Sequence, residues 1–157
     1  MENSVKQEFT RRLSQCNSGE LIVIMYEIVF SYMEDAKAAY ESGTYDAYKK
    51  AVKKAQDGVE QLKNALNFKY AISKELFSLY MYSYNALAKA IYQNRLDGLL
   101  EAEKVLRNLY AAFCEAAKTD TSGPIMCNTQ QVYAGITYGK NDLNENLIEN
   151  SHRGFFA

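Results

Sequence analysis

A chain of 157 residues, 48% hydrophobic and 24% charged, has the composition of one soluble globular domain with room for a sizeable core. A net charge of −1 and a pI of about 5.9 give no global attraction to phosphate backbones or anionic lipid, which disfavours nucleic acid and membrane as partners. Cys16, Cys114 and Cys127 are odd in number, widely spaced and free of any Cys-x-x-Cys pair, so the expectation is reduced thiols in a cytoplasmic protein with no disulfide framework.

The chain opens with acidic residues where a secretory signal would be basic and then apolar, so no export signal is read there. Residues 2 to 15 space Val5, Phe9 and Leu13 by four, which predicts a short amphipathic helix lying across the rest of the fold or staying mobile. The most telling stretch follows. From Leu21 to Met33 the chain is apolar nearly all the way round: Leu21, Ile24, Ile28 and Tyr32 share one helical face, and Ile22, Met25, Val29 and Met33 share another. Such a helix is either the centre of a bundle or the receiver of a second chain on one face.

Four long helices are predicted between residues 18 and 118. The first starts near Asn17 or Ser18, either able to cap exposed amides, and runs to Glu41 before Ser42-Gly43 stops it. The second opens at Thr44 and carries a seam of Val52, Ala55, Val59, Leu62 and Leu66. Residues 67–70 break it, and a third helix begins at Ser73 with a seam of Phe77, Tyr80, Tyr84, Leu87 and Ile91. After the turn at 94–97, with Asp97 as cap, a fourth helix presents Leu99, Ala102, Leu106, Leu109 and Phe113 on one face. Helices of roughly 20 to 25 residues joined by short links run antiparallel to their neighbours. The fold class expected is therefore all-α: an antiparallel up-and-down four-helix bundle over 17–118, a short extra N-terminal helix in 1–16, and an irregular C-terminal extension over 119–157. That extension starts with loop chemistry at Pro124 but also holds Val132, Tyr133, Ile136, Tyr138, Leu143, Leu147 and Ile148, more large apolar residues than disorder normally carries.

Catalytic and metal-binding residue types are scarce. The one histidine, His152, is the sixth residue from the end, so neither a di-iron bundle with paired Glu-x-x-His motifs nor a mid-helix phosphotransfer histidine is present. The isolated cysteines make no zinc site, and no phosphate loop or nucleophile elbow occurs. No enzyme, no metal and no cofactor are expected. Lys49, Lys50, Lys53 and Lys54 form a basic stripe on the second helix, read as a solvated face or a partner-docking patch.

Four short motifs, in order, carry a family likeness. Glu20-Leu-Ile-Val-Ile-Met-Tyr-Glu27, then Lys54-Ala-Gln-Asp57 with Asn64-Ala-Leu-Asn67, then Glu75-Leu-Phe-Ser-Leu-Tyr-Met-Tyr82, and finally Leu106 to Phe113 resemble the signatures of the flagellar export chaperone FliS family. The likeness covers about residues 17 to 117. Asn17-Ser18 stands where the family commonly has Ser-Pro, which keeps helix capping and loses the proline.

That resemblance implies a cytoplasmic, non-enzymatic chaperone that binds the C-terminal region of flagellin, prevents premature polymerisation and assists delivery to the flagellar export gate, with no nucleotide or cofactor. The residues expected to bind the partner are Ile22, Met25, Tyr26 and Val29 of the first long helix and Met81 and Tyr82 of the third, because aromatic and methionine side chains off the core stripe suit an adaptable groove. The same positions could instead bury against the N-terminal segment or the C-terminal extension. Either Val5, Phe9 and Leu13 or the 132–138 stretch would cover the groove until cargo arrives. Other readings stay open: a bundle chaperone or adaptor for a different secreted or regulatory protein, and a structural bundle that self-associates as a homodimer.

Overall fold

The computed structural model describes residues 2–126, which contain five helices and no strand. They are α1 (Asn3–Leu13), α2 (Ser18–Glu41), α3 (Tyr45–Asn64), α4 (Ile72–Gln93) and α5 (Asp97–Lys118). Local chemistry sets most of the ends. At the start of α2, the Asn17 side chain accepts from the Glu20 amide at 2.8 Å while the Glu20 carboxylate accepts from the Asn17 amide at 3.0 Å, a reciprocal cap that satisfies two orphan donors. Gly43, at φ +72°, takes the left-handed turn after α2, and Asn94, at φ 54°, does the same after α4. Thr44 and Asp97 differ from their expected capping roles. The Thr44 hydroxyl pairs with Ser42 instead of an amide of α3, and Asp97 is already helical and pairs with Arg95 at 2.7 Å.

Helix α2 packs on α3, α3 on α4, α4 on α5, and α5 back on α2, so four helices close a ring around one core. Tyr26, Val29 and Met33 of α2, Val52 and Val59 of α3, Tyr80 and Leu87 of α4, and Leu99 and Leu106 of α5 fill it. Two glycines set the closest approaches. A Cβ on Gly58 would press on the Val29 methyl, and a Cβ on Gly98 would overlap the Ala86 carbonyl oxygen of α4, so α2–α3 and α4–α5 each touch through a glycine notch.

The seams of α3 and α5 bury as the spacing predicts, with Leu66, Leu109 and Phe113 half-buried at the bundle end. On α4 the seam is rotated. Tyr80 and Leu87 are buried, but the inner face is completed by Ser73, Ser83, Ala86 and Ala90, while Phe77 turns outward. The close approach of Gly98 selects small residues only at Ala86 and Ala90. Ser83 loses its hydroxyl's solvent without penalty by donating to the Leu79 carbonyl at 2.9 Å.

Helix α1 buries no residue and packs on α2 alone among the helices with substantial contact. Arg12 of α1 pairs with Glu27 of α2, whose other oxygen accepts from the Tyr110 hydroxyl of α5 at 3.2 Å. Residues 119–126 are fastened to the α1–α2 junction: the Gly19 amide donates to Asp120 Oδ2 at 2.8 Å, the Asn17 side chain to the Asp120 carbonyl at 3.3 Å, and the Ile125 amide to the Cys16 carbonyl at 3.0 Å. Hydrogen bonds from Ser122 and Gly19 hold the Asp120 carboxyl below its ordinary pKa. Among the described residues no helix is long and apolar enough to cross a membrane.

Candidate partner-docking face

The core of the molecule is closed around α2. Tyr26 and Val29 are fully buried, with the Tyr26 hydroxyl 2.6 Å from that of Tyr80 and its ring against Phe30, Tyr80, Tyr110 and Phe113. Desolvation, with the Tyr80 contact, pushes the Tyr26 pKa far up, so both hydroxyls stay neutral and satisfy each other. Ile22 and Met25 are half-buried and packed against the same core. The surplus apolar faces of α2 are thus consumed by α3, α5 and α1, and Tyr26 and Val29 do not line any surface in this state. Of the six residues singled out, Met81 is half-buried and Tyr82, at 51% exposure, lies open on α4.

Tyr82 does not stand alone. The outward side of α4 and the connection leading into it carry Phe68 (57% exposed), Tyr70 (66%), Ile72 (61%), Phe77 and Leu79. Helical geometry sorts them. Phe77 and Met81, four apart, lie on the edge of α4 that adjoins α3, where Lys63 sits over the Tyr84 ring at 5.4 Å and Phe68 meets Phe77 edge-on at 5.8 Å. Ile72 and Leu79, seven apart, lie on the edge that adjoins α5, marked by Ala86 and Ala90 against Gly98. Tyr82 stands between the two edges. The face therefore has two apolar margins over about three turns, interrupted by exposed Lys74 and Ser78.

Several of these residues were absent from the sequence-based set. Phe68 and Tyr70 fall in a stretch that reads as a helix break, Ile72 precedes the expected start of its helix, and Phe77 reads as core. The available signal was the break itself, since a solvent-facing connection has no packing reason to hold two aromatic residues and an isoleucine within five positions.

A second concavity, of about 500 Å³, lies between the last turn of α1, the first turns of α2 and the end of α5, lined by Arg12, Cys16, Val23, Ile24, Cys114 and Lys118 among others. Burial pushes the Cys16 thiol up, which makes it less reactive rather than more. Its cations are already partnered, Arg12 with Glu27 and Lys118 with Glu115. Among the described residues no group of three or more His, Cys, Asp or Glu side chains is placed to hold a metal ion.

An exposed apolar face on a ring of helices has the chemistry of a protein-binding surface. The sequence matches the family described as Flagellar protein FliS over residues 1–120. The chain belongs to the FliS family. Comparison with curated proteins gives no match. FliS proteins are flagellar export chaperones and not enzymes, and the match takes in α1 to α5 together with the whole of the α4 face. The family likeness first carried by four short motifs is thereby extended to α1, which none of those motifs reaches.

Proposed function

We propose that this FliS chain is a cytoplasmic chaperone for the C-terminal region of flagellin, folded as an antiparallel up-and-down four-helix bundle, which keeps its cargo from polymerising and assists its delivery to the export gate. The observation that carries the reading is the set of exposed apolar side chains on and beside α4: Phe68, Tyr70, Ile72, Phe77, Leu79 and Tyr82. A flagellin terminus awaiting assembly is an amphipathic segment, and apolar margins three turns long suit such a segment laid down as a short helix. Met81 and Tyr82 belong to that docking face, with Ile22 and Met25 reached only where α1 moves aside, and Tyr26 and Val29 support it from within.

Helix α1 is the element suited to moving. It buries nothing, and Arg12–Glu27 is its only ion pair to another helix among the described residues. In this reading Val5, Phe9 and Leu13 cover apolar surface near α2 until cargo displaces them. The other cover considered, the 132–138 stretch, lies outside the described residues.

Calorimetric titration with a peptide of about forty residues from the flagellin C-terminus tests the proposal, with saturable one-to-one binding and a clearly negative heat-capacity change as the expected result. Leu79→Asp should weaken that binding at least about tenfold, since it sets a charge where apolar area is to be buried. Absence of binding by a well-folded protein sinks the flagellin assignment. Full binding by Leu79→Asp sinks the α4 face and leaves the chaperone role standing. A second copy of the chain is the alternative occupant of the same face, and light scattering that shows a stable dimer indifferent to the peptide would favour it.

A further inference from the structure

Of the sixteen lysines and arginines among the described residues, eight have an ion pair and eight do not, Lys6, Lys69, Lys74, Lys89 and Lys104 among the latter. Arg11 pairs with Glu8, Arg12 with Glu27, Lys37 and Arg107 with Glu103, Arg95 with Asp97, and Lys118 with Glu115. The unpaired lysines crowd most closely on the outer side of α3. Lys49, Lys50, Lys53 and Lys54 are all exposed within one and a half turns, and only Lys53 has a partner, Asp57 at 3.2 Å with Gln56 at 3.1 Å. Lys49, Lys50 and Lys54 make no ion pair or side-chain hydrogen bond among the described residues. Like charges three and four apart on a helix repel, so 49–53, 50–53 and 50–54 each oppose the helix that carries them. The inner face of α3, with Tyr48, Val52, Ala55 and Val59 buried, accounts for the helix and leaves the lysines without a structural task.

We propose that this outer face of α3 is a docking surface for an acidic helical segment of a protein partner, separate from the apolar face of α4. Charge complementarity selects the chemistry. Lys50 and Lys54, four apart, with Lys49 beside them, match carboxylates three and four apart on a facing helix, which share the same rise. Other anionic surfaces fit less well. A membrane needs an apolar anchor beside its basic residues, and the one exposed aromatic of α3, Tyr45, is held edge-on against Tyr40 at 6.0 Å. Single-stranded nucleic acid wants aromatic platforms interleaved with the cations, and the 49–54 stretch holds none. The attraction is electrostatic and exposed, so it raises encounter rate and sets orientation more than it adds affinity.

The test uses the full chain, isotope-labelled, titrated by NMR with an alanine-based helical peptide whose glutamates recur at three and four, at low salt. A glutamine analogue, an oligothymidylate and vesicles of an anionic phospholipid serve as comparisons. The expected result is peptide-induced shifts confined to amides of α3, absent with the glutamine analogue and fading as salt rises to about 0.5 M, where screening collapses the Debye length. A Lys49→Gln/Lys50→Gln/Lys54→Gln variant, altered only at exposed positions and checked for a melting temperature no lower than the parent's, should lose at least fivefold in affinity. No shift with the glutamate peptide, full affinity in the triple variant, or tighter binding to oligothymidylate or vesicles than to the peptide would each overturn the proposal.

Discussion

Helices α2 and α4 are nearly equal in length, 24 and 22 residues, and both are rich in large apolar side chains, yet one is swallowed by the fold and the other faces outward. Helix α2 touches α3, α5 and α1, so even its second-rank positions Ile22, Met25 and Tyr32 pack against the core. Helix α4 touches only α3 and α5 to a comparable degree. Its inner face mixes Tyr80 and Leu87 with Ser73, Ser83, Ala86 and Ala90, while Ile72, Phe77, Leu79 and Tyr82 stay exposed. Apolar content alone does not distinguish a helix that the core consumes from one that keeps an exposed apolar face. The number of neighbours does, and so does which face holds the small residues.

The sharpest way to break this comparison is to truncate matching aromatics on the two helices, and the larger effect belongs to α2. Tyr26→Ala should cost about 3–5 kcal/mol, because it opens a cavity at the centre of the aromatic cluster and strips the buried Tyr80 hydroxyl of its partner at 2.6 Å. Chemical denaturation followed by circular dichroism would read it as a lowered midpoint, and a midpoint shift under about 1 kcal/mol would show that α2 is not the closed centre described. Next comes the α4–α5 contact. Gly98→Ala gains helix propensity but drives a methyl into the Ala86 carbonyl, part of a backbone that cannot rotate away. A net loss of about 1–3 kcal/mol is expected, and a stabilised protein would mean α5 can shift outward at little cost.

A smaller effect, and one that depends on pH, sits on α2–α5. Burial would raise the pKa of Glu103, but hydrogen bonds and charges from Lys37 and Arg107 outweigh it and hold the carboxyl below the ordinary carboxylate range. A group depressed on folding stabilises the protein above its unfolded pKa, and that contribution fades as pH falls through the folded value. Glu103→Gln should therefore lower the melting temperature at neutral pH by the equivalent of about 1 kcal/mol, with the two proteins converging towards about pH 3. Parallel curves at all pH values would mean Glu103 is not ionised differently in the folded state.

Much of the architecture was legible because it is periodic. Runs at three and four residues located α2 to α5 to within a residue or two, and the Asn17 cap and the Gly43 stop fall where side-chain chemistry requires them. Of the exposed apolar side chains on and beside α4, the residues singled out from the sequence include Tyr82 alone, with half-buried Met81 next to it. Hydrophobicity ranks Phe77 above Ser73 and Ser83 as a core residue, yet the two serines are buried and Phe77 stays exposed against Phe68 on the α3 side, while the close approach of Gly98 selects small residues only at Ala86 and Ala90. The reverse error placed Tyr26 on a surface. It was singled out as an aromatic off the core stripe, and the partner that makes burial of its hydroxyl acceptable, Tyr80, is 54 positions away on another helix. Close approach and long-range hydrogen bonding are properties of pairs of helices, and no single-helix pattern contains them.

The smallest stability effect completes the comparison with Tyr26. Tyr82→Ala removes a side chain half in solvent, with no hydrogen bond or ring contact of its own among the described residues, so denaturation midpoints should stay within about 0.5 kcal/mol of the parent. Affinity for the flagellin peptide should nevertheless fall, by about fivefold or more, because a central aromatic of an apolar face carries more than its share of binding energy. The informative quantity is the ratio of the two effects. Tyr26→Ala loses binding only as far as it loses folded protein, and recovers it when the bundle is stabilised by cold or osmolyte, whereas Tyr82→Ala loses binding with the fold intact and recovers nothing. If instead both variants weaken binding in proportion to stability, α4 is simply another wall of the bundle and the docking surface lies elsewhere.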